Sequence, residues 1–320
     1  MILKEEDRYI FVYLIVEFNR RKMQFGKVEN PALIDFKLPK DAPETKKILS
    51  KTKTKNFEAY VGCAKWNRQD LKGFYPRGTK DELVYYSTQF NSIELNATFY
   101  GMPSWQQVEI WKNKTPDNFK FFPKLTNTIS HYKRLIEVKE VVDDFCNAIS
   151  NFDDKLGMAF LQLHDNFKPK DFDRLKKVVE DFPKGVPLGI EVRNSEWFDN
   201  PEIQEEFCQL LEKHNVANII VDTAGRRDML HMRLTSPVAF IRYVGANHPS
   251  DVTRLEDWIP RLKKWKEEGL QKLYFFVHQN DEVESPLLAT DFIGKLNKAL
   301  KINVPVPKQK PGQDTLFDFD

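Results

Sequence analysis

The chain has 320 residues, 41% hydrophobic and 30% charged, which predicts a soluble globular protein with a buried core rather than a disordered one. Its formal charge of +2, from 49 basic and 47 acidic residues, excludes a polybasic protein that binds by bulk charge. Three cysteines without metal-ligand spacing favour a reducing, cytoplasmic compartment, and no apolar run approaches the roughly 18 residues of a membrane span, so no membrane partner is predicted.

Residues 1–56 are predicted to form an N-terminal extension. The apolar run 9–16 is short and follows an acidic stretch, unlike a signal peptide. Met23 opens a more ordinary sequence, so residues 1–22 are interpreted as a segment that is not translated. The lysine-rich stretch 46–55 is interpreted as a solvated helix end and linker. The alternative is a basic arm over a phosphate backbone.

Strand-like runs then alternate with amphipathic helical patterns over residues 57–303. Alternating strands and helices predict a parallel sheet, and eight such units predict an α/β fold of the (β/α)8 TIM-barrel type. A doubly wound open sheet is the alternative. Only the link 225–237 lacks a helical pattern. The predicted strands are 59–66, 92–99, 120–125, 157–163, 187–193, 218–224, 239–245 and 272–278.

Polar and aromatic side chains gather where the predicted strands end, which is where TIM barrels place their sites. The second and fifth strands alternate, and their polar faces are predicted to point into the barrel. One interpretation is a set of interior salt bridges; the favoured interpretation is a ligand site. The candidate ligand-binding residues are Trp66, Asn96, Tyr100, Lys124, His131, Gln162, Arg193, Trp197, Arg242 and His278. The candidate catalytic residues are Glu94, Glu191 and Asp222.

Several of these segments carry a family resemblance. The segment Glu94-Leu95-Asn96-Ala97-Thr98-Phe99-Tyr100, with Gly62-Cys63-Ala64-Lys65-Trp66 and Glu191-Val192-Arg193, resembles the family catalogued as domain of unknown function 72. The resemblance runs over about 57–300 and implies a TIM barrel similar to that of endonuclease IV, hence nucleic-acid binding, but no assigned activity. The family often has Gly-Thr-Ser-Gly-Trp in the first strand and Phe-Asn-Asn in the last. This chain departs from both, so site residues there transfer least.

Residues 304–320 are predicted to be a free Pro-rich linker and a disordered tail. The pentapeptide 313–317 resembles the motif by which bacterial DNA-processing proteins dock on the sliding clamp. Gln313, Leu316 and Phe317 are the candidate clamp-docking residues, with Leu316 and Phe317 filling a pocket. The alternative is a tail that folds back onto the barrel.

The favoured function is to bind or hydrolyse a phosphate-containing, nucleic-acid-like ligand, so a hydrolase is expected if the protein is an enzyme. Lys124, Arg193 and Arg242 would clamp anionic oxygens, the aromatic residues would stack on rings, and Glu94 and Glu191 would act as acid and base.

Three alternatives stay open. The first is a sugar-type enzyme that uses the same two glutamates as acid and base. The second is a metal-dependent enzyme with Glu94, Glu191, Asp222 and a histidine as ligands, which no HxH or HExxH motif supports. The third is a non-catalytic adaptor whose tail is its function. No cofactor is predicted, and a divalent metal remains an alternative.

Overall fold

A computed structural model of the chain describes residues 26–51 and 56–308. The strands are β1 Glu58–Cys63, β2 Ser92–Leu95, β3 Lys120–Pro123, β4 Ala159–Gln162, β5 Leu188–Glu191, β6 Ala217–Asn218, β7 Ile220–Thr223, β8 Val238–Val244 and β9 Lys272–His278. The helices are α1 Pro43–Ser50, α2 Glu82–Gln89, α3 Ala97–Tyr100, α4 Trp105–Asn113, α5 Lys139–Ser150, α6 Phe172–Asp181, α7 Glu196–Asp199, α8 Pro201–Lys213, α9 Ser250–Glu268 and α10 Ser285–Leu300. None of the described helices is long and apolar enough to cross a membrane.

The strands pair in parallel in two sheets, ordered β3-β2-β1-β9-β8-β7 and β4-β5-β6. Only Ile219 separates β6 from β7, and this segment pairs first with β5 and then with β8. Isolated bridges Phe121–Leu156 and Lys124–Phe160 join β3 to β4. Eight parallel strand units therefore follow one another in a TIM-barrel-like order. The α/β class is confirmed, although the hydrogen bonding is divided between two sheets instead of forming one continuous closed sheet.

Several helices begin at the caps that the sequence contains. The Asp81 carboxylate accepts from Val84 N–H at the start of α2, and the Ser104 hydroxyl accepts from Gln107 N–H at the start of α4. Each cap satisfies one backbone donor that the first helical turn leaves without a partner. The link after β7 contains a 3-10 turn, Ala224–Met229, and no α-helix among its described residues, as its pattern predicts.

The barrel interior is layered along the strands. Alternate residues of a strand point to the same face, and four interior phenylalanines each have a polar interior residue two positions later. Phe122 precedes Lys124, Phe160 precedes Gln162, Phe240 precedes Arg242, and Phe276 precedes His278. The four phenylalanines belong to one buried cluster, with ring centroids 4.8 Å apart for Phe122 and Phe276. A layer of polar side chains therefore lies above a layer of buried phenylalanine rings.

The second strand is shorter than its alternation predicts. Its last ladder bond runs from Lys124 N–H to Leu95 O, and Asn96 N–H turns back to Glu94 O. Asn96 has right-handed helical φ and ψ angles, and the helical turn α3 follows. The prediction of a strand to residue 99 is wrong because the backbone leaves the sheet at the rim. Tyr100 consequently stands exposed above the barrel.

The N-terminal segment 26–51 is packed on the barrel rather than solvated. Thr45 and Leu49 are fully buried, and the Thr45 hydroxyl donates to Met232 O at 2.7 Å. Glu44 forms an ion pair of 2.7 Å with Arg233. Within the lysine-rich stretch, Lys46, Lys47 and Lys51 are exposed at the end of α1, as expected for a solvated helix end, while the apolar side of the same helix packs on the barrel. Residues 1–25 and 52–55 lie outside the described residues, so the interpretation of 1–22 stays a prediction.

The linker that follows α10 is also partly packed. Val304 is buried, and its backbone exchanges two hydrogen bonds with the Asn297 side chain. Lys308 N–H donates to Gln89 Oε1 at 2.9 Å. Residues 304–308 are thus held on the barrel, which corrects the expectation of a free spacer from residue 304. The clamp-docking residues Gln313, Leu316 and Phe317 lie outside the described residues.

Candidate functional site

Arg242 on β8 is the centre of the polar layer. Its guanidinium binds Glu94 on β2 through two hydrogen bonds of 2.8 Å, and Nη1 reaches Glu191 on β5 at 2.5 Å. All three side chains are buried. The bidentate geometry suits a buried ion pair, because both charges keep directed partners in place of water. The predicted salt bridges therefore exist. Arg242 lines the cavity above them, whereas Glu94 and Glu191 are fully buried and do not line it.

The two glutamates are held ionised. Burial alone would raise the pKa of Glu94, but Arg242 and His278 outweigh burial and hold it well below its usual range. Burial likewise opposes the charge of Glu191, and Arg242 and Arg193 lower its pKa. A general acid needs a raised pKa at neutral pH. These two carboxylates are therefore suited to act as electrostatic partners of the cationic groups rather than as proton acceptors.

His278, at the end of β9, is a protonated imidazole in the site. Its Nε2 lies 3.0 Å from Glu94 Oε2, and Nδ1 lies 3.6 Å from Glu282 Oε1. Burial alone would lower the pKa of His278, but Glu94 and Glu282 raise it to about 9. Asn96 Nδ2 donates to the other oxygen of Glu94 at 2.9 Å. Every group around Glu94 thus stabilises its negative charge.

Lys124, directly after β3, has no carboxylate partner in the described ranges. Its Nζ donates to Gln162 Oε1 at 3.0 Å and lies 4.0 Å from the centroid of the Phe99 ring. No ion pair of Lys124 occurs within the described ranges. Burial lowers its pKa to about 7, and the positive charges of Arg242 and Arg193 add to this effect. Lys124 is therefore the cation of the site that readily loses its charge.

Lys124 is the cation of the cavity that has no direct carboxylate partner in the described ranges. Glu94, Glu191 and Glu282 form ion pairs with Arg242, Arg193 and His278. Asp165 of the neighbouring cavity adds a further negative charge near Arg193. The cluster therefore has no surplus of positive charge, and Lys124 differs from the other cations in lacking a direct ion pair.

A cavity of about 730 Å³ opens above this polar layer. Two of its walls are Trp66 and the helical turn α3. It contacts a neighbouring cavity of about 760 Å³ through shared residues His131 and Arg193. The structure brings these predicted ligand-binding residues together in its lining: Trp66, Asn96, Tyr100, Lys124, His131, Gln162, Arg193, Arg242 and His278.

His131 is the neutral imidazole of this cavity. It lies on a π-helical turn, Thr128–Tyr132, after β3, and its Nδ1 is 2.8 Å from the Ser130 hydroxyl. Burial, helped by neighbouring His164 and Lys124, lowers its pKa to about 4. The cavity therefore holds one neutral and one charged imidazole at pH 7.

Two predicted site residues lie elsewhere. Trp197 on α7 is fully buried, and its Nε1 donates to Phe167 O at 2.9 Å, so it cannot stack on a ligand in this structure. Asp222 on β7 points out of the barrel, because the interior positions of that strand are Ile219 and Val221. It binds Arg254 at 2.9 Å and Trp258 Nε1 at 2.8 Å.

The structure adds residues that the sequence reasoning missed. Phe99 lies beneath the Lys124 ammonium, although the strand alternation places it on the apolar face. Glu282 approaches His278 from the turn before α10, where no motif signals it. Asp70 pairs with Lys65 at 3.0 Å on the cavity wall. Within the described ranges no group of three His, Cys, Asp or Glu side chains could hold a metal ion.

Fold and site together define the chain as an α/β protein of TIM-barrel-like architecture with a charged cavity at the C-terminal ends of its strands. The sequence profile of the family described as "Protein of unknown function DUF72" matches residues 60–312. The chain belongs to this family, which confirms the resemblance seen in the segment 94–100.

Relatives in several bacteria agree with this assignment. The chain is 27% identical to UPF0759 protein YecE of Escherichia coli over 81% of its own length and 99% of that protein. It is similar in structure to a DUF72 family protein of Thermotoga maritima, with 25% identity and a TM-score of 0.62 over 75% of this chain and 99% of that one. A DUF72 family protein of Enterococcus faecalis, at 20% identity, covers 79% and 99% of the two chains with a TM-score of 0.62.

Proposed function

We propose that the cavity binds an anionic ligand of the phosphate-bearing, nucleic-acid-like class. The observation that carries this proposal is Lys124, a buried amine that lines the cavity and has no carboxylate partner in the described ranges. Desolvation makes an unpaired buried ammonium costly. A phosphate oxygen near Lys124 and Arg193 would supply the direct negatively charged partner that Lys124 lacks.

Aromatic groups at the mouth of the cavity support a ligand with a ring. Trp66 lies in the lining, and Tyr100 is 77% exposed beside it. Bases and sugar rings stack on such side chains, and each base stacked on an aromatic group contributes about 1–3 kcal/mol. A phosphate held at Lys124 with a ring against Trp66 would use both features of the site.

The catalytic assignments stay predictions. Glu94 and Glu191 are fully buried beside Arg242, which they fix, and neither lines the cavity, so their expected role as acid and base has no contact with the cavity in its support. His278 is the protonated group that could donate to a leaving oxygen. A sugar-type enzyme with the two glutamates as an acid–base pair has less support, because both carboxylates have lowered pKa values.

The binding proposal is tested with inorganic phosphate and a nucleoside monophosphate in calorimetric titrations. Lys124→Met should weaken phosphate binding at least tenfold, which corresponds to about 1.4 kcal/mol. Lys65→Met is the matched control, because Lys65 lines the same cavity but pairs with Asp70; it should change the Kd less than twofold. Absence of phosphate binding to the wild type, or equal losses in both variants, would refute the proposal.

Docking of the tail on a sliding clamp remains a separate proposal. It rests on the pentapeptide 313–317 and on its place after a linker that is held on the barrel up to Lys308. Residues 309–312 would then be the spacer, which spans at most about 14 Å. The docked barrel would sit close to the clamp and hence close to DNA.

A further inference from the structure

We propose that Lys124 is a nucleophile that forms an imine with an aldehyde or ketone bearing an anionic group. This inference rests on the proposed function for the anionic group of the ligand and adds a covalent step at the same cavity. The substrate would be an aldehyde or ketone that also carries an anionic group.

The position of the amine carries the inference. Lys124 Nζ lines a cavity of about 730 Å³, above the face of Phe99 and beside the Gln162 amide oxygen. A neutral amine keeps an N–H for Gln162 and has a lone pair that an ammonium lacks. Desolvation and nearby cationic groups are the usual means by which proteins keep a lysine neutral and nucleophilic. Both are present, because Arg242 and Arg193 are the neighbouring charges.

The chemical step balances with groups of this cavity. The Lys124 lone pair attacks the carbonyl carbon, and the π electrons move to the carbonyl oxygen. One proton passes from nitrogen to that oxygen and gives a carbinolamine. A second proton, from protonated His278 or from water, allows the oxygen to leave as water. The nitrogen keeps its remaining proton, so the product is a positively charged iminium.

The charge balance of the site favours this product. With a pKa of about 7, free Lys124 is about half neutral at pH 7 and mostly neutral above it, so the amine is available without a separate base. The iminium restores one positive charge at the same place. The anionic group of the ligand, held by Arg193 on the border between the two cavities, compensates for that charge. An uncharged carbonyl compound would lack this compensation and should react more weakly.

The test uses two carbonyl probes on the full chain, pyridoxal 5′-phosphate and pyridoxal, each followed by borohydride. The hydride reduces the iminium carbon and fixes the adduct as a secondary amine, which peptide mass spectrometry locates. At pH 7.5 and substoichiometric probe, Lys124 should be labelled at least tenfold more than Lys65, and more by the phosphorylated probe. Labelling should fall as the pH drops below 7. Lys124→Arg keeps a cation there but should yield no adduct at position 124, and circular dichroism confirms its folding.

The outcomes separate the two proposals. Preferential labelling of Lys124 that inorganic phosphate suppresses supports the imine and the anion site together. Preferential labelling by both probes without phosphate binding supports the imine and refutes the anion site. Phosphate binding that depends on Lys124, with no labelling of Lys124 above Lys65 by either probe, overturns the imine and leaves the proposed function intact.

Discussion

Two buried networks of arginine and carboxylate lie at the C-terminal ends of the strands, and they differ in access and in charge. The network around Arg242 borders an open cavity and includes Lys124, which has no carboxylate partner in the described ranges. The network around Asp222 lies outside the barrel wall, where Arg254 and Arg227 face Asp222 and Asp251. Its charges balance, two against two.

The N-terminal segment accounts for the difference in access. Phe36 lies over both arginines of the Asp222 network, with its ring centroid 4.3 Å from the Arg254 guanidinium and 5.6 Å from that of Arg227. Arg227 also donates to Phe36 O at 3.0 Å. A covered network whose charges are all paired stabilises the fold, whereas an open network with a cation that lacks a direct ion pair can recruit a ligand. Charged residues at strand ends therefore do not mark a site by themselves.

The largest expected effect is loss of stability when either central arginine is removed. Arg242→Met would leave Glu94 and Glu191 buried without their shared partner, and Arg254→Met would do the same to Asp222 and Asp251. Breaking a buried pair in this way costs about 3–5 kcal/mol. Urea denaturation should show both losses. Lys139→Met, which removes an exposed helix pair, should leave the midpoint unchanged. A cost below about 1 kcal/mol for either arginine would show that it does not hold its network together.

A smaller effect of opposite sign is expected for Lys124→Met. The folded-state pKa of Lys124 is lowered from 10.5 to about 7, so above pH 7 the unfolded state binds more protons than the folded state. Wild-type stability should therefore rise with pH from about 7 to 10, by about 1 kcal/mol per pH unit from this residue. The variant lacks this gain, so its relative stability should be greatest at pH 7 and should decline as the pH rises.

Saturating sulfate provides the control for that comparison, because a bound anion raises the pKa of Lys124 and should flatten the difference between the two proteins. A difference in stability that does not change with pH would contradict the account of a buried, deprotonating lysine.

Phe36→Ala should have a more modest effect, confined to the covered network. Loss of the ring over Arg254 and Arg227 is expected to cost about 1–2 kcal/mol and to leave phosphate binding by the folded protein unchanged. Leu33→Ala is the control, since Leu33 in the same segment is 80% exposed and should change neither property. Weaker phosphate binding in Phe36→Ala would show that the two networks are coupled.

The sequence predicts the barrel well because its elements are local. The predicted strand 272–278 has the bounds that its run of apolar and aromatic residues indicates. Asp81 and Ser104 cap α2 and α4 through contacts only three residues away in the chain. Lys124 and Arg242, at the ends of predicted strands, line the same cavity.

The errors concern features that sequence spacing does not determine. Asp222 faces outward because Ile219 and Val221 take the interior positions, yet both faces of that strand are apolar, so alternation does not fix its orientation. Its partner Arg254 is 32 residues away, and no motif links them. Trp197 follows a strand but turns into the helix layer, where Phe167 O accepts its N–H. Only the packed structure decides these cases.

The smallest expected effect on the barrel comes from the tail. If residues 313–317 dock on a sliding clamp, a peptide of residues 308–320 should bind the purified clamp of the same organism with micromolar affinity, worth about 8 kcal/mol. Replacing Leu316 and Phe317 by Ala should abolish binding without changing the melting temperature of the full chain. A lower melting temperature would instead show that the tail packs on the barrel, and no binding at tens of micromolar would remove the clamp from the account.

Proton uptake on anion binding tests most directly whether Lys124 becomes charged when the cavity binds an anion. Sulfate, which does not titrate near neutrality, is titrated calorimetrically into the protein at pH 8 in two buffers of different ionisation enthalpy. Lys124 is mostly neutral at that pH, and an adjacent anion raises a pKa by about 1–3 units. We expect uptake of about half to one proton per bound sulfate in the wild type and none in Lys124→Met. Binding without proton uptake, or equal uptake in the variant, would contradict this expectation.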